Sequence, residues 1–193
     1  MDYLLLGKSG IKVSQICLGT MNFADTTDLQ QATDIINQAR DVGINFVDTV
    51  DGYTNKASKR ILGKLIKSEG DNWILSTKIG QAAGLNKRKK GLSRKWMMEV
   101  IDPSLQRLET DYVDILYMQH VDCETPLDVS ILAVGNIIAA GKAPYWGFSN
   151  HRGWQIGELI RICDKMSVSR PIVCQPYRNA IMQIAENDVL SAC

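Results

Sequence analysis

Histidine is scarce in this chain, with two residues in 193, and no Cys-x-x-Cys pair joins any of its five cysteines. A structural zinc site therefore lacks its usual ligands. An odd number of thiols scattered from Cys17 to Cys193 also argues against a disulfide framework, and fits reduced cysteines in a cytoplasmic protein. Neither sign of charge is in excess: 22 Lys and Arg stand against 21 Asp and Glu, a net charge of +1. No global field points to nucleic acid, a membrane surface or an acidic partner. No apolar run approaches the ~20 residues of a membrane helix. The opening Met1-Asp2-Tyr3-Leu4 has no basic segment ahead of an apolar one, so secretion is not expected.

Glycine-rich phosphate loops are missing as well. Gly7-Lys8-Ser9 has the ending of a P-loop, but the upstream position where that motif needs its first glycine is Asp2. After Gly19 the chain reads Thr20-Met21-Asn22-Phe23, without the glycine fingerprint that holds a pyrophosphate on a helix N-terminus. The one basic run, Lys87-Arg88-Lys89-Lys90, has no interleaved aromatics and reads first as a solvated loop. Its functional reading is a loop at a catalytic mouth that attracts an anionic group.

What is present is a regular cycle. A composition 45% apolar and 22% charged supports one core, and the chain reads as a single domain over residues 1–193. Tyr3–Leu6 and Ile11–Ser14 flank a Gly-Lys-Ser-Gly turn and predict a β-hairpin. From Ile16 the chain alternates. Strands are predicted at Ile16–Gly19, from Ile44 to Asp48, Trp73 to Lys78, Tyr112 to His120, Tyr145 to Ser149 and Pro171 to Gln175. Helices are predicted between them at Leu29–Val42, Ala57–Lys67, Ser93–Leu108, Pro126–Ala140 and Gly153–Met166. Asp28 with Gln31 has the spacing of a capping box, and Gly43 and Gly141 are stop signals. Strands alternating with amphipathic helices predict a parallel sheet, and a repeat of roughly thirty residues is that of a (β/α)8 TIM-type barrel.

In such a barrel the C-terminal ends of the strands converge on one face. Here those ends carry Asp48, Lys78, His120, Ser149 with Asn150, and Gln175, and Tyr53 follows Asp48 in the next loop. A phenol titrates near pH 10, and a neighbouring ammonium lowers that value. Lys78 is the candidate for that charge, Asp48 for its partner, and His120 for a hydrogen bond to a carbonyl oxygen or to the phenol itself. Together they form a proton relay to a carbonyl, while nothing in the chain supplies the electron pair. A hydride-carrying cofactor would, and Ser149, Asn150 and Gln175 offer the donors and acceptors that a nicotinamide carboxamide requires. Asp51 reads as a cap for the helix after Tyr53, His151 as part of an exposed loop, and Trp73, Trp96 and Trp154 as packing. Tyr177 and Arg178 follow Gln175 at the mouth.

Five segments, in order, resemble the aldo-keto reductase family. They are Leu18-Gly19-Thr20-Met21, the stretch from Gly43 through Asp48 to Tyr53 with Ser58 and Leu62-Gly63, Thr77-Lys78, His120, and Gly141-Lys142 with Gly147-Phe148-Ser149-Asn150. The resemblance implies a catalytic set of Asp48, Tyr53, Lys78 and His120, with Tyr53 as proton donor. It implies cofactor contacts from Gly19, Thr20, Met21, Asp48, Ser149, Asn150 and Gln175, a preference for NADPH, and a small carbonyl substrate. A non-catalytic alternative is a binding or regulatory subunit resembling the potassium-channel β subunits of the same family.

About six βα units are predicted, whereas a closed barrel has eight in about 250 residues. In the family, the ring that stacks on nicotinamide and the groups that grip the phosphates lie on strands seven and eight. The chain by itself is therefore expected to bind NADPH weakly or not at all. Its outer strands are expected to meet further strands of a longer reductase, a second copy or another partner.

Overall fold

The computed structural model describes residues 1–52, 56–80 and 91–193. β1 (Tyr3–Leu5) and β2 (Lys12–Ser14) pair antiparallel, as the hairpin pattern predicts. The main sheet holds β3 (Cys17–Gly19), β4 (Phe46–Asp48), β5 (Ile74–Ile79), β6 (Ile115–Met118), β7 (Tyr145–Ser149) and β8 (Val173–Gln175). These six strands lie side by side in chain order and are parallel throughout. Between and after them run α1 (Leu29–Asp41), α2 (Ala57–Ile66), α3 (Arg94–Leu108), α4 (Leu127–Ala139), α5 (Gly153–Met166) and α6 (Ala185–Ala192). The arrangement is part of a (β/α)8 barrel, with a hairpin ahead of it.

Local signals explain the boundaries. Asp28 accepts from the Gln31 backbone N–H at 2.8 Å while Gln31 Oε1 accepts from the Asp28 N–H at 3.0 Å, which closes the capping box of α1. Gly43, at φ +81°, turns the chain out of that helix. β4 starts at Phe46 rather than Ile44. Asn45, just before it, is tied to the hairpin, accepting from Ser14 N–H at 2.7 Å and donating to the Lys12 carbonyl at 3.0 Å.

Alternate residues of a strand face opposite sides of a sheet, and here the two sides differ in chemistry. Val47, Leu75, Leu116, Met118, Trp146 and Phe148 form a core with the apolar faces of the helices, which contribute Ile36, Leu62, Met97, Val134 and Leu159 among others. Full burial of one such aliphatic side chain is worth about 1.5–3 kcal/mol. The opposite parity forms a smaller apolar cluster, Val13, Phe46, Ile115 and Tyr117, with Ile74, Tyr145 and Val173 against it. Val13 belongs to β2, so the hairpin packs on this inner face. Toward the C-terminal ends the same parity turns polar, with Asp48, Ser76, Lys78, Ser149 and Gln175. This change of chemistry along one face is what builds the site.

Helices α2 and α3 approach closely at Gly63. A Cβ there would stand 2.6 Å from the Leu108 carbonyl carbon and oxygen, so any larger residue would push the two helices apart.

Candidate active site

Asp48 ends β4, and the register sets it beside Gly19 on one side and Ser76 on the other. Its carboxylate is buried, at 7% exposure, and so is Lys78, at 6%. Lys78 pairs with Asp48 Oδ2, while Oδ1 accepts from the Ser76 hydroxyl at 2.7 Å. Gln175 Nε2 donates to Oδ2 from β8 at 3.4 Å. A buried ion pair is retained only where further hydrogen bonds satisfy its remaining lone pairs, and Ser76 and Gln175 do that here. The Lys78 ammonium also lies 5.8 Å from the centre of the Tyr117 ring, within cation–π range. The Tyr117 phenol is held in its neutral form, because burial and then the Asp48 charge push its pKa up.

The strand tips expected to hold a carboxamide lie together. The Ser149 hydroxyl donates to the Gln175 carbonyl at 2.6 Å across β7 and β8. Asn150, at φ +59°, accepts from the Tyr177 N–H at 2.8 Å and donates to the Gln119 carbonyl at 3.4 Å. A bound amide would share these groups with the backbone. Their mixed donor and acceptor chemistry fits a nicotinamide carboxamide.

At the other side of the mouth, Thr20 is fully buried, and both its N–H, at 3.1 Å, and its hydroxyl, at 3.2 Å, donate to the Asp48 carbonyl. The Ser58 hydroxyl in turn donates to the Thr20 carbonyl at 2.7 Å, locking α2 to β3. Thr20 thus holds Asp48 in place from behind, whereas Gly19 and Met21 are exposed.

Tyr53 lies outside the described residues, as does the basic run Lys87-Arg88-Lys89-Lys90. His120 is placed, but on the other parity from the pair. Tyr117 faces inward and the ladder continues through Gln119, whose N–H donates to the Ile79 carbonyl at 2.9 Å. Gln119 therefore returns to the inner side, and His120 comes one residue later. The His120 ring lies over Gly80, where a Cβ would stand 3.2 Å from its Cε1 and 3.3 Å from Leu92, a residue of the helix-side core. The structure thus gathers Asp48, Lys78, Ser76, Ser149 and Gln175 on the inner side. Gln119 was missed in the sequence, although counting in steps of two from Tyr117 reaches it.

A sequence pattern described as the aldo/keto reductase family matches residues 15–193. The chain belongs to the aldo/keto reductase family. This reductase-family chain is 38% identical over 183 residues to a probable voltage-gated potassium channel subunit beta of Arabidopsis thaliana, covering 93% of the chain and 56% of that protein. It is 35% identical over 183 residues to a protein of the same description from Oryza sativa subsp. japonica, again covering 93% and 56%. An uncharacterized oxidoreductase, YrpG, of Bacillus subtilis strain 168 is 33% identical over 204 residues, covering all of the chain and 62% of that protein. The chain spans little more than half the length of these curated relatives.

Three expectations around the reductase-family site are corrected. Asp51 does not cap α2: the position before that helix is Lys56, which makes no side-chain capping bond. Asp51 instead pairs with Lys59 at 3.1 Å and Arg107 at 2.6 Å, because α2 and α3 bring both cations over it. Burial alone would raise the Asp51 pKa, but Lys59 and Arg107 outweigh it and hold the carboxyl below its ordinary value. His151 is not on an exposed loop. The left-handed turn at Asn150 sends it inward, to 3% exposure, with Nδ1 2.9 Å from the Ser149 carbonyl and its ring edge-on to Phe148. Trp73 and Trp96 are buried as expected, but Trp154 is 73% exposed. The buried face of α5 runs through Ile156, Leu159, Ile162 and Cys163, and position 154 is off that stripe.

No helix among the described residues is long and apolar enough to cross a membrane.

Proposed function

We propose that the protein reduces aldehydes or ketones to alcohols with NADPH as the hydride source, and that Tyr53 is the proton donor. The observation that carries this reading is the buried Asp48–Lys78 pair at the C-terminal end of the sheet. Lys78 supplies the positive charge that makes a nearby phenol acidic enough to give up its proton near neutral pH. Asp48, held by Ser76 and Thr20, fixes the ammonium and keeps it from swinging into solvent. Ser149, Asn150 and Gln175 orient the carboxamide of the nicotinamide. When bound, that cofactor supplies the hydride. The proton then passes from the Tyr53 hydroxyl to the carbonyl oxygen as negative charge develops there.

The test is NADPH consumption, followed by absorbance, against a panel of aromatic and aliphatic aldehydes, for the whole protein and its Tyr53→Phe variant. Turnover that survives the loss of one hydroxyl would remove Tyr53 from the mechanism. A second reading, a binding or regulatory subunit, is favoured by the likeness to proteins described as potassium channel β subunits. In that case NADPH binds and is released unchanged with every aldehyde. Among the described residues β3 and β8 are the outer strands of the sheet, and further strands from the same protein or a partner would cover their edges.

A further inference from the structure

The described residues hold a buried cation that the proposed chemistry does not use. Lys59, on α2, is completely inaccessible, with its ammonium 3.1 Å from Asp51 Oδ1 and bonded to the Ser104 hydroxyl of α3. Asp51 does not need it for neutrality. Arg107 already grips the carboxylate with both prongs, Nε to Oδ1 at 3.1 Å and Nη2 to Oδ2 at 2.6 Å. Two cations therefore share one carboxylate, with Lys59 fully buried and Asp51 and Arg107 mostly so. A surplus buried charge costs stability, so an arrangement serving packing alone would stop at Arg107. What Lys59 adds is a third bond to Asp51, from a different helix.

Asp51 stands between the two ends of the proposed reaction centre, three residues after Asp48 and two before Tyr53. Successive Cα atoms are 3.8 Å apart, so whatever fixes Asp51 limits the reach of the chain on either side of it, back to Asp48 and onward to Gly52. We propose that Lys59 is a positioning residue: together with Arg107 it clamps Asp51 between α2 and α3 and so fixes the stretch of residues 49–52 that follows Asp48. The groups facing Lys59 are Asp51 from the loop, Ser104 and Arg107 from α3, and, through space, Lys78 from β5. Burial brings the Lys59 ammonium down to about 8, against the pull of Asp51 and with a further push from Arg107 and Lys78. The clamp is closed below that pH and loses one of its bonds above it.

The inference rests on Tyr53 as proton donor, and its test separates the two. The whole protein is compared with Lys59→Met and Lys59→Gln by amide hydrogen exchange of the peptide beginning at Thr49, at pH 7 and pH 9. Corrected for intrinsic rates, the wild-type protection of that peptide drops about fivefold or more from pH 7 to pH 9. In Lys59→Met it is low at both values. In Lys59→Gln, which still donates to Asp51, it is intermediate and independent of pH. Carbonyl turnover by Lys59→Met falls about tenfold or more in kcat with KM within about threefold, and Lys59→Gln recovers part of it. The thermal midpoint of Lys59→Met is equal to or above wild type, because the surplus charge is gone. Unchanged exchange in both variants overturns the clamp, whatever the turnover. A lowered midpoint with faster exchange throughout the chain makes Lys59 merely structural and overturns it too. Altered exchange at the peptide in a wild type that turns over no aldehyde sustains the clamp and sinks the reductase reading instead. If Lys59→Met fails to fold, Lys59→Gln carries the comparison.

Discussion

Ser76 and Asp48 lie opposite each other on neighbouring parallel strands, and the Ser76 hydroxyl donates to Asp48 Oδ1 at 2.7 Å in a place closed to water. The serine matters because the other carboxylate oxygen is already taken by Lys78. Ser76→Ala would leave Oδ1 buried without this donor, at a cost of about 1–3 kcal/mol. Urea unfolding should show that loss as a lower midpoint at unchanged slope. A variant as stable as wild type would mean that the hydroxyl does not support the ion pair.

Asp51 gives the protein an acid-sensitive element. The folded carboxyl is held below its ordinary value by Lys59 and Arg107 after burial has opposed them. An unfolded aspartate titrates near 3.9, so below about that pH the unfolded chain takes up a proton that the folded chain refuses. The stabilisation is fully present above pH ~4 and is lost as pH falls toward the folded value. Asp51→Asn should therefore flatten the dependence of the thermal midpoint on pH below 5 relative to wild type. Parallel curves for the two proteins would remove Asp51 as a contributor.

Much of this architecture is legible in the residues, and the exceptions have physical causes. Ile36 and Ala39 mark the buried stripe of α1, and the Asp28–Gln31 spacing marks its start. The Asp48–Lys78 meeting follows from two strand ends on one parity once the sheet is parallel. Lys59 is different. Nothing in the run Ser58-Lys59-Arg60 marks it as buried, and it is the close approach of α3 at Gly63 and Leu108 that encloses it. His151 was hidden for a related reason, since the left-handed turn at Asn150 that redirects it is a backbone event at a non-glycine residue.

Gly147 links packing to the site. It is the β7 partner of Tyr117, and a Cβ there would stand 2.5 Å from the Val173 carbonyl oxygen and 2.9 Å from Tyr117 Cε1. The carbonyl belongs to the neighbouring strand and cannot yield cheaply, so Gly147→Ala must displace either β8 or the ring beneath Lys78. Overpacking of this kind costs about 1–3 kcal/mol. We expect a lower unfolding midpoint together with reduced turnover, because Gln175 on β8 and Lys78 over Tyr117 both serve Asp48. An alanine variant with wild-type stability would mean that the inner face is looser than its contacts indicate.

The parity of β6 makes the sharpest distinction at the site. Gln119 continues the inner row from Ile115 and Tyr117, and its side-chain oxygen is buried without a hydrogen-bond partner among the described residues. A buried amide oxygen left unpaired costs about 1–3 kcal/mol unless something else satisfies it, and a substrate or cofactor N–H or O–H at the mouth would do so. His120, one residue on, sits over Gly80 toward Leu92 and the helix layer. If the amide serves the bound state, Gln119→Ala should reduce kcat/KM for aldehydes by roughly 10- to 100-fold, the loss of one or two hydrogen bonds to a ligand. It should also leave the unfolding midpoint unchanged or slightly raised, since an unsatisfied buried group has been removed. His120→Ala should act in the opposite sense, lowering the midpoint through lost packing while changing kcat/KM by about threefold or less. A large kinetic loss in His120→Ala with a silent Gln119→Ala would return the carbonyl-facing role to the histidine.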